Sequence, residues 1–269
     1  MYPVLFQFGG ITVHSYGVLV AAGILLGLWL SRRRAAQMGL EADRVWSLGI
    51  YMILAGLAGA KLWYMAESAG YYLENPAQIF SVNTLQAAGV FYGGFLGALI
   101  TGVLYMRWAG LPALRVLDAY SAPVALGHAM GRLGCFSAGC CYGRMTDGPL
   151  GVTFHSEYAA SVVGVPLGAP LHPTQLYEAA AEMVNFAVLV WLGTRPAVAA
   201  RPGRLFAAYL VIYGIIRGAN EFFRGDPGRT MLPGGFSLMQ AVSVGLILVG
   251  VTLWLRSAAR PKAVAPGRV

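Results

Sequence analysis

Gly131-Arg132-Leu133-Gly134-Cys135-Phe136-Ser137-Ala138-Gly139-Cys140-Cys141-Tyr142-Gly143-Arg144 is the stretch on which the reading of the chain turns. It contains all three cysteines of the protein together with two arginines. A long apolar run, Val116 to about Leu133, leads into it, and another, Thr174 to Leu192, follows. Helices of about 20 apolar residues match the hydrocarbon thickness of a bilayer. The chain is 57% hydrophobic and only 11% charged over 269 residues. Ordinary soluble domains carry about 25% charged residues, so a soluble fold of this size would lack the polar shell its core requires. A polytopic membrane protein needs no such shell along its lipid belt.

On the N-terminal side of the stretch, Met1 to His14 is short and mixed, with Phe6, Phe8 and Gly9-Gly10, and suits an interfacial segment. Apolar runs follow at Tyr16–Leu30, Val45–Tyr64 and Ala87–Met106, before the run from Val116. On the C-terminal side, Leu205–Phe223 and Phe236–Leu255 complete the set. The first run has neither a basic n-region nor a small-x-small cleavage site, and reads as a retained helix rather than a signal peptide. The expected fold is an all-α polytopic membrane protein of seven transmembrane helices, a single transmembrane domain over residues 1–269. Residues 135–173, rich in Gly and Pro with a β-like piece at Gly151–Phe154, read as an extramembrane or partly re-entrant exoplasmic subdomain. Residues 257–269 read as a flexible basic tail. Lys61 sits near the end of its run, where its stem can snorkel, and Glu67–Leu85 reads as a polar loop.

Seven spans put the termini on opposite sides. Arg32, Arg33, Arg34, Arg44, Arg107, Arg115, Arg195, Arg201, Arg204, Arg256, Arg260, Lys262 and Arg268 share one side, 13 of the 19 basic residues. The positive-inside rule makes that side cytoplasmic and the N-terminus exoplasmic. The net charge of +8 is thus accounted for by loop arginines, and no nucleic-acid partner is expected.

Three features converge on the outer face: Arg132 with Arg144, His172 with Gln175 and Glu178, and Arg217 with Glu221. Arg217 and Glu221 are four apart and share a helix face. Taken singly, that pair could be an internal ion pair that fixes packing, and Arg132 an interface anchor. Taken together, guanidinium forks on one side of a membrane protein suit a phosphate group, and an anionic lipid headgroup is the natural one at this depth. Cys135, Cys140 and Cys141 leave several alternatives open: a zinc site completed by His128, His155 or His172, a disulfide with an odd thiol, a catalytic thiol, or plain apolar packing. The spacing lacks a C-x-x-C pair, and adjacent cysteines rarely share one tetrahedral ion, so no metal is expected. Gly131, Gly134, Gly139 and Gly143 have no strand–turn–helix context and are not a dinucleotide fingerprint.

Ordered motifs run through nearly the whole chain: His14-Ser15-Tyr16-Gly17, Phe91-Tyr92-Gly93-Gly94, Asp118, Pro123, Gly131-Arg132-Leu133-Gly134, Tyr142-Gly143-Arg144, His172-Pro173-Thr174-Gln175-Leu176-Tyr177-Glu178, Pro202-Gly203-Arg204-Leu205-Phe206, Tyr213-Gly214-Ile215-Ile216-Arg217 and Glu221-Phe222-Phe223-Arg224. In this order they resemble the prolipoprotein diacylglyceryl transferases of bacterial lipoprotein maturation. The resemblance implies a multi-pass protein of the bacterial inner membrane, with phosphatidylglycerol as donor and the lipobox cysteine of a prolipoprotein signal peptide as acceptor; a monomer is expected. It implies a thioether product, released glycerol phosphate, and no metal or organic cofactor. Arg132 and Arg217 would line a cavity open laterally to the bilayer. With Tyr92, Tyr213 and Glu221 they form the expected catalytic set. Tyr16, Gly93, Gly94, Gly143, Arg144, His172 and Gln175 are the expected substrate-binding residues. Against the family's pattern, Cys135 and Ala138 replace two asparagines, Cys140 replaces a glutamate, and Tyr92 stands where some members carry histidine. The rival readings are another phospholipid-headgroup transferase or a non-catalytic lipid transporter. A transporter should show inverted repeats and two-sided access, and the sequence has no internal repeat.

Overall fold

Helix dominates the chain. The computed structural model describes residues 3–8, 11–81, 84 and 89–258. A short hairpin, β1 (Val4–Phe8) and β2 (Ile11–His14), precedes helix α1 (Ser15–Gln37). Then come α2 (Ala42–Glu67), a short α3 (Ala69–Glu74), a 3-10 turn (Pro76–Phe80), α4 (Phe91–Trp108) and α5 (Ala113–Ala138). An insertion with β3 (Val152–Thr153), α6 (Glu157–Val163) and β4 (Pro170–Leu171) leads to α7 (Thr174–Gly193). The chain continues through α8 (Pro196–Ala199), α9 (Arg204–Glu221) and α10 (Leu238–Ala258). By length and composition, α1, α2, α7 and Leu238–Ser257 of α10 can cross a membrane. Helices α5 and α9 are long too, but α5 carries Asp118, His128 and Arg132, and α9 carries Arg217, Asn220 and Glu221. Such groups lower a helix's mean hydropathy and are tolerated in a bilayer only where they face a protein interior.

Several boundaries differ from the sequence reading. Cys135–Ala138 belong to α5, so the insertion begins at Gly139, whose φ of 81° is left-handed and ends the helix. The expected polar loop from Glu67 holds α3 and the 3-10 turn. Helix α10 runs to Ala258, so residues 257 and 258 are helical; the remainder of the expected basic tail, 259–269, lies outside the described residues, as do Gly9, Gly10 and residues 87 and 88. Two small antiparallel sheets join the helices, β1–β2 and β3–β4.

The chain forms two compact units, one of residues 31–116 and one of residues 1–30 with 117–269. In the first, α2 and α4 lie so close that a Cβ on Gly93 would collide with the Gly59 carbonyl, so glycine is obligatory there. Lys61 donates to the Thr84 carbonyl at 2.9 Å rather than simply reaching for solvent.

In the second unit, Ala122 and Ala125 of α5, Leu189 of α7, Val198 of α8, and Leu205 and Ala208 of α9 form a core bordered by Phe186, Leu192, Tyr209 and Trp254. Asp118, buried on α5, caps α9. Its Oδ2 accepts from Gly203 N at 2.6 Å and its Oδ1 from Phe206 N at 2.8 Å. It thereby satisfies backbone donors that a helix start leaves without partners, and places negative charge at the positive end of the helix dipole. The insertion has its own core of Tyr142, Phe154, Ala159, Val165 and Leu171. Burial of a side chain such as Phe154 contributes about 1.5–3 kcal/mol. Ser156 caps α6 by accepting from Ala159 N at 3.2 Å, and Gly164 ends it with φ of 67°. The local sequence fixes this small helix at both ends.

Candidate functional site

Backbone pairing draws the ends of three helices together. Past the end of α5, Gly143 N donates to His172 O at 2.9 Å, and His172 N returns a bond to Arg144 O at 3.0 Å. On its other edge the same strip meets the segment after α9: Arg144 N donates to Phe223 O at 2.9 Å, and Gly225 N to Tyr142 O at 3.2 Å. Only glycine fits at 143, because a Cβ there would lie 2.5 Å from His172 O and 2.8 Å from Phe223 O. The first turn of α7 braces the strip. Thr174 Oγ1 donates to Cys141 O and Gln175 Nε2 to Cys140 O, both at 2.7 Å.

This frame holds a buried polar core. Glu178 of α7, 1% exposed, meets three partners. Its Oε1 is 3.0 Å from an Arg132 terminal nitrogen and 3.3 Å from His128 Nε2, and its Oε2 accepts from Asn220 Nδ2 at 2.6 Å. The contacts at Oε1 are off-axis ion pairs rather than well-directed hydrogen bonds. Arg132 Nε also donates to His128 Nε2 at 3.2 Å. The one imidazole nitrogen therefore faces a donor and a carboxylate; it can accept from Arg132 only unprotonated, and can donate to Glu178 only protonated. Tyr213 lies against this ring at 5.3 Å between centroids, and Tyr209 stacks on Tyr213.

A second ionic group sits at the end of α9. Arg217 donates to Glu221 Oε2 at 2.6 Å, as the four-residue spacing predicts, while Arg229 Nε donates to Glu221 Oε1 at 2.9 Å. Arg229 also donates to the carbonyls of Arg224 and Glu221. One buried carboxylate thus fixes two guanidinium groups. Beyond it, Arg224 and Asp226 form a bidentate pair at 2.5 and 2.6 Å. Burial works against the Arg224 charge, but the bond from Asp226 together with the charges of Cys141 and Asp226 outweighs it and raises the pKa above the ordinary arginine value. The Tyr142 phenol is pushed up by burial first and the Asp226 charge second, and it donates to Gly164 O at 3.1 Å.

The other expected site residues fall in distinct places. Tyr16, half-exposed on α1, packs where Gly134 of α5 leaves room. His172 Nδ1 is 3.1 Å from the Tyr177 hydroxyl, and its ring packs against Phe223. The Gln175 amide is fully buried, its nitrogen bonded to Cys140. Arg144 is exposed. Tyr92, Gly93 and Gly94 belong to α4 in the unit of residues 31–116, where Gly93 and Gly94 adjoin Gly59 and Gly56 of α2.

Sequence reasoning weighed His128 only as a metal ligand and did not single out Asn220, Glu182 or Arg229 as site residues. Glu182 and Asn185 lie one and two turns beyond Glu178 on α7, both fully buried and bonded to each other at 3.0 Å. Polar residues at i, i+4 and i+7 within an apolar helix were the signal for that polar face. No comparable signal existed for Arg229, which lies in a loop.

A mostly helical chain with membrane-crossing helices and two arginines, one buried and one largely so, each held by a carboxylate, is a membrane protein with a polar core suited to an anionic group. The chain belongs to the prolipoprotein diacylglyceryl transferase family, whose model matches residues 3–256. It is 34% identical over 252 residues to the phosphatidylglycerol–prolipoprotein diacylglyceryl transferase of Clostridium tetani, covering 93% of this chain and 96% of that protein. The enzyme of the same name from Geobacter sulfurreducens is 36% identical over 261 residues, 93% of each chain. That from Geobacillus kaustophilus is 32% identical, over 94% of this chain and 91% of its own. The protein is accordingly a transferase of lipoprotein biosynthesis and a multi-pass membrane protein.

Proposed function

We propose that the protein transfers the diacylglyceryl group of phosphatidylglycerol to the lipobox cysteine of a prolipoprotein. The sulfur attacks the glyceryl carbon that bears the phosphate ester. A carbon–sulfur bond forms, the carbon–oxygen bond breaks, and glycerol phosphate leaves with the electron pair. The observation that carries the reading is the pair of arginines, Arg132, largely buried, on Glu178 and Arg217, buried, on Glu221, each held at one end of its guanidinium. A guanidinium carries five N–H donors, so one carboxylate leaves others for phosphate. Developing charge on the leaving phosphate would be stabilised by donors already in place.

Glu221 and Arg229 orient Arg217. Tyr213, Tyr16, Tyr92 and His172 position the headgroup or handle the thiol proton, and Gly143 and Gln175 hold the backbone frame. Seven helices cross the bacterial inner membrane, with the N-terminus exoplasmic and the C-terminus cytoplasmic, so that the polar core faces the outer leaflet, where a newly exported cysteine arrives. The basic loops support this orientation.

The test is incubation of purified protein with labelled phosphatidylglycerol and a lipobox peptide. A thioether adduct with stoichiometric glycerol phosphate is expected. Absence of both products overturns the reading. Arg132→Ala and Arg217→Ala should nearly abolish transfer, and Arg268→Ala should not; equal activity in all three removes the arginine clamp.

A further inference from the structure

The transfer proposed above leaves the three cysteines without a task. We propose that Cys135, Cys140 and Cys141 form a trigonal thiolate site for one soft d10 cation, Cu(I) in preference to Zn(II). Their sulfur atoms all lie within 4.8 Å of one another. Three sulfurs around one ion at about 2.3 Å each are separated by about 4 Å. Closing the cluster on an ion therefore takes side-chain adjustments well under one ångström each.

The backbone is built to bring these thiols together. Cys135 sits on the last turn of α5, Gly139 reverses the chain with φ of 81°, and Cys141 is itself left-handed at φ 59°. Among the described residues it is the one non-glycine residue with positive φ. Such a conformation costs of order 1–3 kcal/mol and persists only where its surroundings enforce it. Here the enforcing groups are Thr174 and Gln175, fully buried, which hold the carbonyls of Cys141 and Cys140 at 2.7 Å. The spacing C-x4-C-C argues against a tetrahedral ion in sequence. The left-handed turn at Cys141 removes that objection for a trigonal one.

The donor set selects the cation. Thiolates disfavour hard cations and select Cu(I) or Zn(II). No His, Asp or Glu joins the three sulfurs among the described residues. Zinc requires four ligands, whereas Cu(I) is satisfied by three. The three thiols are free, so the ligands need no reduction before binding. Arg132, one helical turn before Cys135, places a positive charge next to the net negative cluster that three thiolates and one monovalent ion would make.

The experiment uses the full chain in detergent, anaerobic and reduced, titrated with Cu(I) against the chromophoric chelator bicinchoninate. Zn(II) is titrated separately against a zinc-responsive dye. One Cu(I) per chain withdrawn from the chelator is expected, with an X-ray absorption spectrum showing a first shell of three sulfurs. The triple variant Cys135→Ser, Cys140→Ser, Cys141→Ser, which leaves the chain without thiols, should retain no copper, and each single serine variant should bind at least tenfold more weakly. Wild-type protein that holds no more copper than the triple variant overturns the site. Tight zinc with no retained copper overturns the copper assignment, and thiols that resist alkylation until reduced overturn the free-thiol cluster. Where the triple variant fails to fold by thermal unfolding, the wild-type absorption spectrum decides, and a shell other than three sulfurs rejects the proposal.

Discussion

Asn220 donates from Nδ2 to Oε2 of Glu178 at 2.6 Å, joining α9 to α7 inside the buried polar core. Glu178 is also the carboxylate that faces Arg132, and Asn220 lies one turn beyond Arg217 on α9. A single bond therefore links the element that carries one arginine to the anion that holds the other. Arg132 and Arg217 come from α5 and α9, 85 residues apart in sequence, and this bond adds a polar tie at the site to the Asp118 cap and the shared apolar core that already join those helices.

Glu178 is expected to be needed for stability and for transfer in separable ways. Glu178→Ala leaves Arg132 with an uncompensated buried charge, a change that typically costs about 3–5 kcal/mol. Thermal unfolding in detergent should show the loss directly. Glu178→Gln keeps the shape and can still accept from Asn220, so its unfolding temperature should stay nearer the wild type. Its transfer rate should nevertheless fall at least tenfold, because Arg132 is no longer fixed by charge. A Glu178→Gln protein with full transfer would show that Arg132 does not depend on this carboxylate.

Arg217 and Glu221 were legible because a four-residue spacing on a helix needs no tertiary knowledge. The helices were legible for the same reason, since length and hydropathy are local. The bond between Asn220 and Glu178 was not, because it joins residues 42 apart whose meeting depends on how α7 and α9 pack. Arg229 escaped notice because its partner, Glu221, already had an evident one. The proximity of the cysteines was not legible either. Their spacing speaks against a tetrahedral ion, and the sulfurs lie within 4.8 Å of one another where Gly139 and Cys141 turn the chain with positive φ, a backbone feature the spacing alone does not reveal. The motif marks Gln175 as a site residue, but the bond from its buried amide to the Cys140 carbonyl needs the fold to be seen.

Asp118 provides a contrast between stability and chemistry. Asp118→Ala removes the acceptor of two backbone N–H groups at the start of α9, and each buried donor left unmade costs about 1–3 kcal/mol. Arg217 lies 13 residues along that helix, about 20 Å away at 1.5 Å per residue. The variant should unfold at a lower temperature, while the KM for phosphatidylglycerol measured on the folded fraction stays within twofold of wild type. A large rise in KM with unchanged unfolding would place Asp118 in the binding site instead.

Gly143→Ala should damage the frame rather than the charges. Its Cβ would press on the backbone oxygens of His172 and Phe223, neither of which is the flexible end of a side chain. The strip pairing the ends of α5, α7 and α9 must then open. Hydrogen exchange should show lost protection at the amides of Gly143, Arg144 and Gly225, with transfer lost in parallel. Full protection at those amides in an active Gly143→Ala protein would contradict the close approach.

The pair of guanidinium groups on Glu221 gives the sharpest test of how Arg217 is oriented. Arg217→Lys keeps a positive charge but loses the planar fork that can hold Glu221 and a phosphate together. Transfer should fall by about 100-fold or more, the scale of losing one fixed donor to developing charge. Arg229 reaches phosphate only through Glu221, so it is a positioning residue. Arg229→Ala should lower kcat by about tenfold with little change in KM, and Arg229→Lys should recover part of that loss by restoring a cation beside Glu221 Oε1. If Arg229→Ala instead raised KM with kcat intact, Arg229 would be contacting the lipid headgroup itself, and the clamp would contain three arginines rather than two.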